Sequence, residues 1–410
     1  MRIVVVNNFF PPRPGGSSHL SDSLAVGYAE AGHEVLVITA SYRDCPATEE
    51  RDGIRIVRVP AWTLPKLPVS VNFDLAFTAR PSLARTVGKL LTEFQPDVIH
   101  QHGQFFDLSW VSGLWARKHA VPVLLSVHTR LESPRRQYRY LFRAADALLV
   151  HPILRRYRPT FVVIDTKMDA YISTRYRKAI GGLANIPVGV ESQRFRGGDA
   201  ARVRALHDLG DRPVLLSLGH VIPLRARLPL ARALPRILDK IPDLAVVVVG
   251  HVYHGEFLKL AEQLGVRHAI IDVGAVPKYE VPDYLAAAIA EVHDLEGHGL
   301  GTASLESMAA GVPVIASVRS DNFPGIRLGD REHLYAVPLD DPESLAQAIV
   351  EIASDPAGAK AQVAASAQRL IAEHFTMESV TGKHLALFDT MTEGRVIGQR
   401  APMAEITAGS

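Results

Sequence analysis

Glu296-Gly-His-Gly-Leu-Gly-Thr-Ala-Ser-Leu-Glu306-Ser-Met-Ala-Ala-Gly-Val-Pro-Val-Ile-Ala316 reads as a glycine-rich loop, a short helix carrying one inward carboxylate, and a buried strand. Gly297, Gly299 and Gly301 alternate, so backbone N–H groups can approach an anion closely. Thr302 is placed to cap the helix that follows, whose N-terminal end carries partial positive charge. That arrangement suits a phosphate or diphosphate. Glu306 falls about one turn into the helix, where a carboxylate can accept hydrogen bonds from a sugar diol. Leu305, Met308 and Ala309 turn this stretch toward a core rather than toward solvent.

At 410 residues the chain is longer than one core usually serves, so two domains are expected. A net charge of +2 gives no reason to invoke nucleic acid as a partner. The single cysteine, Cys45, excludes an internal disulfide framework and fits a reducing compartment. The N-terminus opens on a strand, Arg2-Ile-Val-Val-Val-Asn7, without a signal-peptide pattern, and no apolar run approaches a membrane span. A cytoplasmic location is the expectation.

Strand and helix patterns alternate along the chain. Ile3–Val6, Glu34–Thr39, Gly53–Val59, Val98–His100, Val121–Val127, Ala147–Val150 and Phe161–Asp165 are short apolar or β-branched runs of the kind buried on both faces of a parallel sheet. Helical patterns such as Leu20–Ala31 and Ala84–Phe94 lie between them. A second set follows a linker near Asn185-Ile-Pro-Val-Gly-Val190: Val214–Leu218, Ala245–Val249, Ala269–Val273, Ala290–Val292, Val312–Ala316 and Tyr335–Val337. The expected fold class is α/β, with two Rossmann-like doubly wound domains, 1–187 and 188–375, facing each other across a cleft. Residues 396–410, small and aperiodic, are expected to form a flexible tail.

With these elements in place, the chain resembles a glycosyltransferase of the GT-B fold, close to the large retaining group called family 4. The markers stand in order over nearly the whole chain: Pro11-Pro-Arg-Pro-Gly-Gly16, Ala31-Gly-His-Glu-Val-Leu-Val37, Pro96-Asp-Val-Ile-His-Gln-His-Gly103, Val121-Pro-Val-Leu-Leu-Ser-Val-His-Thr129, Ile186-Pro-Val-Gly-Val-Glu191, Ser217-Leu-Gly-His-Val-Ile-Pro-Leu-Arg225, and the opening stretch itself.

The resemblance implies sugar transfer from a nucleotide-diphosphate sugar to a small-molecule, glycan or lipid-linked acceptor, with retention. Gly15 and Gly16 would line the phosphates from the first domain. Arg225 stands where the family places a lysine that grips the diphosphate, and arginine can do so bidentately. Gly299, Leu300, Gly301 and Thr302 would line the donor, and Glu306 would bind the ribose. His128, just after an expected strand end, would contact the donor sugar or stabilise the transition state. The C-terminal helix, about Thr376–Met391, would cross back onto the first domain. Domain closure would then bring Gly15, Gly16 and His128 over the donor. No Asp-X-Asp pair stands at a strand end, so stabilisation without metal or cofactor, by backbone amides, helix ends and cations, is expected.

Two positions depart from the family. His220 replaces its usual arginine and offers one donor instead of a charged fork. The family's two glutamates are separated by seven residues, which from Glu306 leads back to His298. Either His298 replaces the first carboxylate, or the loop bulges and Glu296 takes its place. These departures keep open a catalytically inactive nucleotide-sugar-binding homologue or partner subunit. A NAD-dependent oxidoreductase is disfavoured, because Pro11-Pro-Arg-Pro-Gly-Gly16 is not the Gly-X-Gly-X-X-Gly turn such an enzyme needs.

His100 and His102 share a face only if their strand extends through both. No carboxylate or cysteine accompanies them and His128 at metal-ligand spacing, so a metal site is not expected there. Arg130–Arg158 is dense in arginine, with Tyr138, Tyr140, Phe142 and Tyr157 interleaved. Three readings compete: a solvated helix face, peripheral contact with anionic membrane lipid, or a site for an acidic acceptor.

Overall fold

The computed structural model of the chain describes residues 1–13, 15–63, 76–78, 80, 82–130, 136–297, 299–355 and 358–393. His298 and the expected 396–410 tail lie outside the described residues. The chain divides into two compact units: Met1–Pro187 with the chain from Val380 onward, and Val188–Ser379.

The first unit is built on β1 (Arg2–Asn7), β2 (Glu34–Ala40), β3 (Thr48–Arg51) and β4 (Ile54–Val59). A two-strand ribbon, β5 (Trp62–Thr63) with β6 (Ala76–Phe77), stands apart. The main sheet continues with β7 (Val98–His102), β8 (Val123–Val127), β9 (Thr160–Val163) and β10 (Gly182–Asn185). Its spatial order is β10-β9-β8-β7-β1-β2-β4-β3, parallel throughout except for β3 against β4. The helices are α1 (Gly16–Glu30), α2 (Leu83–Phe94), α3 (Asp107–Lys118), α4 (Arg136–Ala145), α5 (His151–Tyr157) and α6 (Thr166–Arg175).

Every residue of β7 and β8 is buried, as covering both sheet faces with helices requires. The run Ala147–Val150, expected as a strand, is instead a π-helical turn spanning Asp146–Val150 and leading into α5. Four apolar residues alone do not distinguish a strand from a helical turn. Here Leu148 and Leu149 are 74% and 56% exposed, so the run supplies no strand core. Buried Asp146 anchors the turn instead, accepting hydrogen bonds from the Tyr176 hydroxyl and from Arg175.

In the second unit, α7 (Ala200–Leu206) precedes β11 (Val214–Leu218), followed by α8 (Leu228–Lys240), β12 (Ala245–Val249), α9 (Glu256–Gln263) and β13 (Ile270–Gly274). Next come α10 (Val281–Ala287), β14 (Ala290–Val292), α11 (Thr302–Ala310), β15 (Val314–Ala316) and β16 (Tyr335–Ala336). Then follow α12 (Pro342–Ser354), α13 (Ala359–His374) and α14 (Met377–Thr392), whose later part belongs to the first unit. The sheet order is β13-β12-β11-β14-β15-β16, all parallel. Side-chain caps start the helices where the sequence supplies them: Asp199 accepts from the Ala201 and Arg202 N–H groups, and Asp341 from those of Glu343 and Ser344.

In each sheet the strand order reverses once, between β1 and β7 in the first and between β11 and β14 in the second. Ligands of doubly wound sheets bind beyond the carboxyl ends of the strands at such reversals. The segments following β1, β7, β11 and β14 are therefore where site residues belong.

Candidate functional site

In the second unit, β14 leads into His293-Asp294-Leu295-Glu296 and then the glycine loop. Asp294 is buried; its Oδ2 accepts the Gly301 N–H at 2.6 Å, and its Oδ1 lies 3.0 Å from Arg225 Nε. Asp294 thus satisfies the N–H of the N-cap residue from the preceding segment, and Thr302 does not cap the helix as expected. The helix α11 is capped at Gly301, and Thr302 is its first residue, one position too late for its hydroxyl to serve as cap. Burial pushes Asp294 toward its neutral form, but His293, Arg225 and the Gly301 N–H outweigh that and hold its carboxyl below the usual range. His293 places Nδ1 2.5 Å from Glu291 Oε1 and Nε2 3.3 Å from Asp294 Oδ1. Ser304 Oγ lies 3.1 Å from Glu291 Oε2 and 3.0 Å from Asp294 Oδ2.

Arg225 therefore lies against the N-terminal end of α11. A Cβ at position 301 would sit 3.1 Å from Arg225 Nη2 and 3.2 Å from Asp294 Oδ2, so a side chain there would push both a few tenths of an ångström aside. With its side chain still 33% exposed, Arg225 keeps guanidinium N–H groups accessible beside the amides of the helix end. A cation and a helix N-terminus converge there, the combination that holds a phosphate.

Arg227, two residues on, is fully buried. Its guanidinium donates to Ser217 Oγ at 3.0 Å, to the Arg225 carbonyl at 2.6 Å and to the Gly219 carbonyl at 3.2 Å. Burial lowers its pKa to about 10 against the opposing pull of Glu296, Asp294 and Glu291. Arg227 pins the loop that carries Arg225. Glu296 is committed to the same loop, its Oε1 accepting the Arg227 N–H at 2.7 Å. Burial raises the Glu296 pKa, partly offset by that bond.

Glu306 lies one turn into α11 with 15% of its side chain exposed and Lys278 Nζ at 4.0 Å. Burial pushes its carboxyl up to about 7; Lys278 opposes this and Glu191 adds to it. His220 is exposed at the end of β11. Its Nδ1 accepts the His251 N–H at 2.9 Å, which leaves Nε2 to carry the proton. Burial and the neighbouring His251 and Arg227 lower its pKa, so it is a neutral single donor.

In the first unit, Gly15 is the N-cap of α1 and Gly16 its first residue, beyond the end of β1. Both are exposed, and a Cβ at either would meet no atom of the described residues within 4 Å. Gly15 has φ +150, which favours glycine whatever the space. The backbone at this helix end is therefore open to an approaching anion. β7 extends through His102, so His100 and His102 do share a face. His128 follows β8 directly, with Nε2 2.9 Å from His102 Nδ1, and burial lowers its pKa to about 4. No group of three or more His, Cys, Asp or Glu among the described residues is placed to hold a metal ion.

The structure thus gathers Arg225, Gly299, Leu300, Gly301, Thr302 and Glu306 around the start of α11, with Glu296 supporting the neighbouring loop. Glu291, His293, Asp294, Arg227 and Lys278 escaped the sequence reading. The signal available for His293 and Asp294 was a polar run immediately after a short strand, the place where ligand sites gather, and Glu291 lies within that strand.

Residues 15–180 match the family described as Glycosyl transferase 4-like domain, and residues 212–355 match Glycosyl transferases group 1. The chain is 29% identical over 383 residues to the GDP-mannose-dependent alpha-(1-6)-phosphatidylinositol monomannoside mannosyltransferase of Mycolicibacterium smegmatis, covering 88% of this chain and 91% of that one. It is 24% identical to the alpha-monoglucosyldiacylglycerol synthase of Streptococcus pneumoniae, covering 87% of this chain and 84% of that one. Among solved structures, sucrose-phosphate synthase from Thermosynechococcus elongatus superposes with a TM-score of 0.67 at 20% identity, over 95% of this chain and 98% of that one. With both domain families in this order on two doubly wound sheets, the chain belongs to the family 4-like glycosyltransferases of the GT-B fold.

Proposed function

We propose that this nucleotide-sugar-dependent glycosyltransferase transfers its sugar with retention, without metal, to a lipid-linked acceptor. One observation carries the donor reading: Arg225 lies against the N-terminal end of α11, with the Glu306 carboxylate one turn further in. Arg225 and the Thr302 N–H at the start of α11 take the diphosphate, where charge grows as the glycosidic bond breaks. Glu306 accepts from the ribose hydroxyls, and His220 donates Nε2–H to a phosphate oxygen. Gly15, Gly16 and His128 serve the donor from the first unit, as the family resemblance implies.

No pair of carboxylates is assigned as nucleophile and acid, so the reading favours front-face attack in which the leaving phosphate helps deprotonate the acceptor over double displacement. GDP-mannose is the first donor to try, because it is named for the mannosyltransferase relative. The test is the product anomer by NMR in the presence of EDTA. An α-linked product from an α-linked donor is expected. An inverted product, or a rate abolished by EDTA and restored by a divalent ion, contradicts the proposal. Donor binding with no turnover on any acceptor favours the inactive homologue.

The lipid assignment rests on the first unit. No side chain of α4 is buried, and Tyr140, Leu141, Leu148 and Leu149 are all more than half exposed. Arg136, Arg139 and Arg143 stand on the same helix. Exposed leucines beside arginines fit an anionic membrane surface better than bulk water. No helix among the described residues is long and apolar enough to cross a membrane. Co-sedimentation with vesicles is expected to rise with phosphatidylglycerol content and to fall with salt. Replacing Leu148 and Leu149 together by serine should weaken it about thirtyfold, since each removes exposed apolar area worth about 1 kcal/mol on insertion. Binding indifferent to lipid charge, salt and this substitution removes the membrane assignment.

A further inference from the structure

Behind the end of β7 the first unit encloses a histidine cluster larger than the proposed reaction requires. His100, His102 and His384 are buried, and His128 adjoins them. The His100 and His102 ring centroids are 4.3 Å apart, and His384 reaches in from α14 with its ring 5.1 Å from that of His100. His100 places Nδ1 3.1 Å from the Tyr28 hydroxyl and Nε2 2.7 Å from Ser126 Oγ. His384 Nδ1 is 2.8 Å from the Val380 carbonyl, so its proton is on Nδ1. His102 and His128 stack, with ring planes 14° apart and Nδ1 of the first 2.9 Å from Nε2 of the second. Among the described residues, the Nε2 atoms of His102 and His384 are buried with no hydrogen-bond partner.

These facts fix where the protons are. Burial lowers the pKa of all four rings, chiefly by desolvation, to about 4 for His128 and His384, so the cluster is neutral at physiological pH. A neutral pair sharing one hydrogen bond holds one proton between the two nitrogens. If His128 were the donor, the proton of His102 would lie on its partnerless Nε2. A buried N–H with no acceptor costs more than a bare ring nitrogen. The opposite assignment leaves both orphaned Nε2 atoms, on His102 and on His384, bare in the same way.

We propose that His102 is a positioning residue for the transfer reaction: its Nδ1–H donates to His128 Nε2 and thereby holds His128 as the Nδ1–H tautomer at the end of β8. The Nδ1–H is then the one proton His128 offers to the donor sugar. This role rests on the assignment of His128 to the donor made above. Second-row partners of this kind set which imidazole nitrogen carries the proton.

The direct test is the ¹⁵N imidazole spectrum of the full chain labelled at histidine, with His128 assigned by its loss in His128→Asn. His128 is expected to show a protonated Nδ1 and a bare Nε2. An Nε2–H tautomer in the wild type overturns the proposal without any variant of His102. In kinetics, His102→Leu should lower kcat about tenfold or more with the donor KM nearly unchanged, because the donor's proton is no longer fixed on one nitrogen. His102→Asn, whose amide can donate from nearly the same place as Nδ1, should recover most of that loss. A His102→Asn enzyme as slow as His102→Leu, with equal melting temperatures, contradicts the proposal. An unchanged kcat in His128→Ala strikes the assignment of His128 itself and the positioning role with it, whereas the tautomer spectrum strikes the proposal alone.

Discussion

Arg225→Ala lowers kcat/KM for the nucleotide sugar by about 10²–10³-fold, most of it in kcat, as expected for removing a donor aimed at charge that grows in the transition state. The side chain is placed for this task by two constraints. Arg227 hydrogen-bonds the Arg225 carbonyl, and Asp294 pairs with Arg225 Nε at 3.0 Å. Arg225→Lys keeps the charge but loses the planar fork, so it should recover only part of the loss. The same truncation also affects the fold. Asp294 is 1% exposed and loses a cationic partner, while the Gly301 N–H, Ser304 and His293 remain. A fall in melting temperature of a few degrees is expected, smaller than for a buried carboxylate stripped of every partner. Steady-state kinetics beside thermal melts separate the two effects. Loss of stability with unchanged kcat would remove Arg225 from the donor site.

Glu306→Gln moves stability and function in opposite directions. In the folded chain burial raises this carboxyl from 4.5 to about 7. Between those values the folded state binds more protons than the unfolded state, so stability is full below pH 4.5 and is lost as pH rises through 7. Glutamine cannot ionise, so the variant escapes that loss. It should be more stable than wild type by about 2–3 kcal/mol at pH 8, with the advantage shrinking toward pH 5. It should also bind the nucleotide sugar about tenfold or more weakly at pH 8, because a carboxylate accepts from a diol more strongly than an amide does. In wild type the donor KM should fall as pH rises through 7, when Glu306 becomes the carboxylate. Melts and donor titrations at pH 5 and pH 8 check both signs. A variant that is stabilised yet binds the donor normally would mark Glu306 as a buried carboxylate without a ligand.

The fold was legible because parallel strands covered on both faces must be continuous apolar runs. Val214–Leu218 and Ala245–Val249 coincide with β11 and β12 residue for residue, and every position in both is buried. The last helix, expected at about Thr376–Met391, spans Met377–Thr392. Elements that escaped lack that signature. β3 is Thr-Glu-Glu-Arg, an edge strand with charges on it, and antiparallel to its neighbour. Such an edge carries charge to discourage further pairing, which makes it resemble a loop. Ala147–Val150 failed the other way, as an apolar run whose leucines face solvent.

In the site, the glycine spacing and the helix after it pointed to an anion-binding turn, Glu306 was picked out by its place one turn into that helix, and Arg225 by the family resemblance alone. What could not be read was the charge network beneath. Asp294, just past the end of β14, reaches the N–H of the α11 N-cap residue Gly301, seven residues on, while Thr302 caps nothing. Arg227 looks like a solvated neighbour of Arg225, yet it is fully buried because Ser217, Gly219 and Arg225 surround it with acceptors. The two segments meet where Arg225 pairs with Asp294 and Glu296 accepts the Arg227 N–H, and that meeting depends on β11 and β14 being adjacent, a property of the sheet rather than of either segment.

The measurement that bears most directly on the central claim is sugar release or transfer from a panel of UDP-, GDP-, ADP- and TDP-sugars in EDTA, with wild type and Arg225→Ala run side by side. The account predicts that one donor stabilises the wild-type protein and is turned over, and that the Arg225→Ala protein, still folded, turns it over at least about a hundredfold more slowly. Well-folded wild-type protein that neither binds nor consumes any of these donors would contradict it.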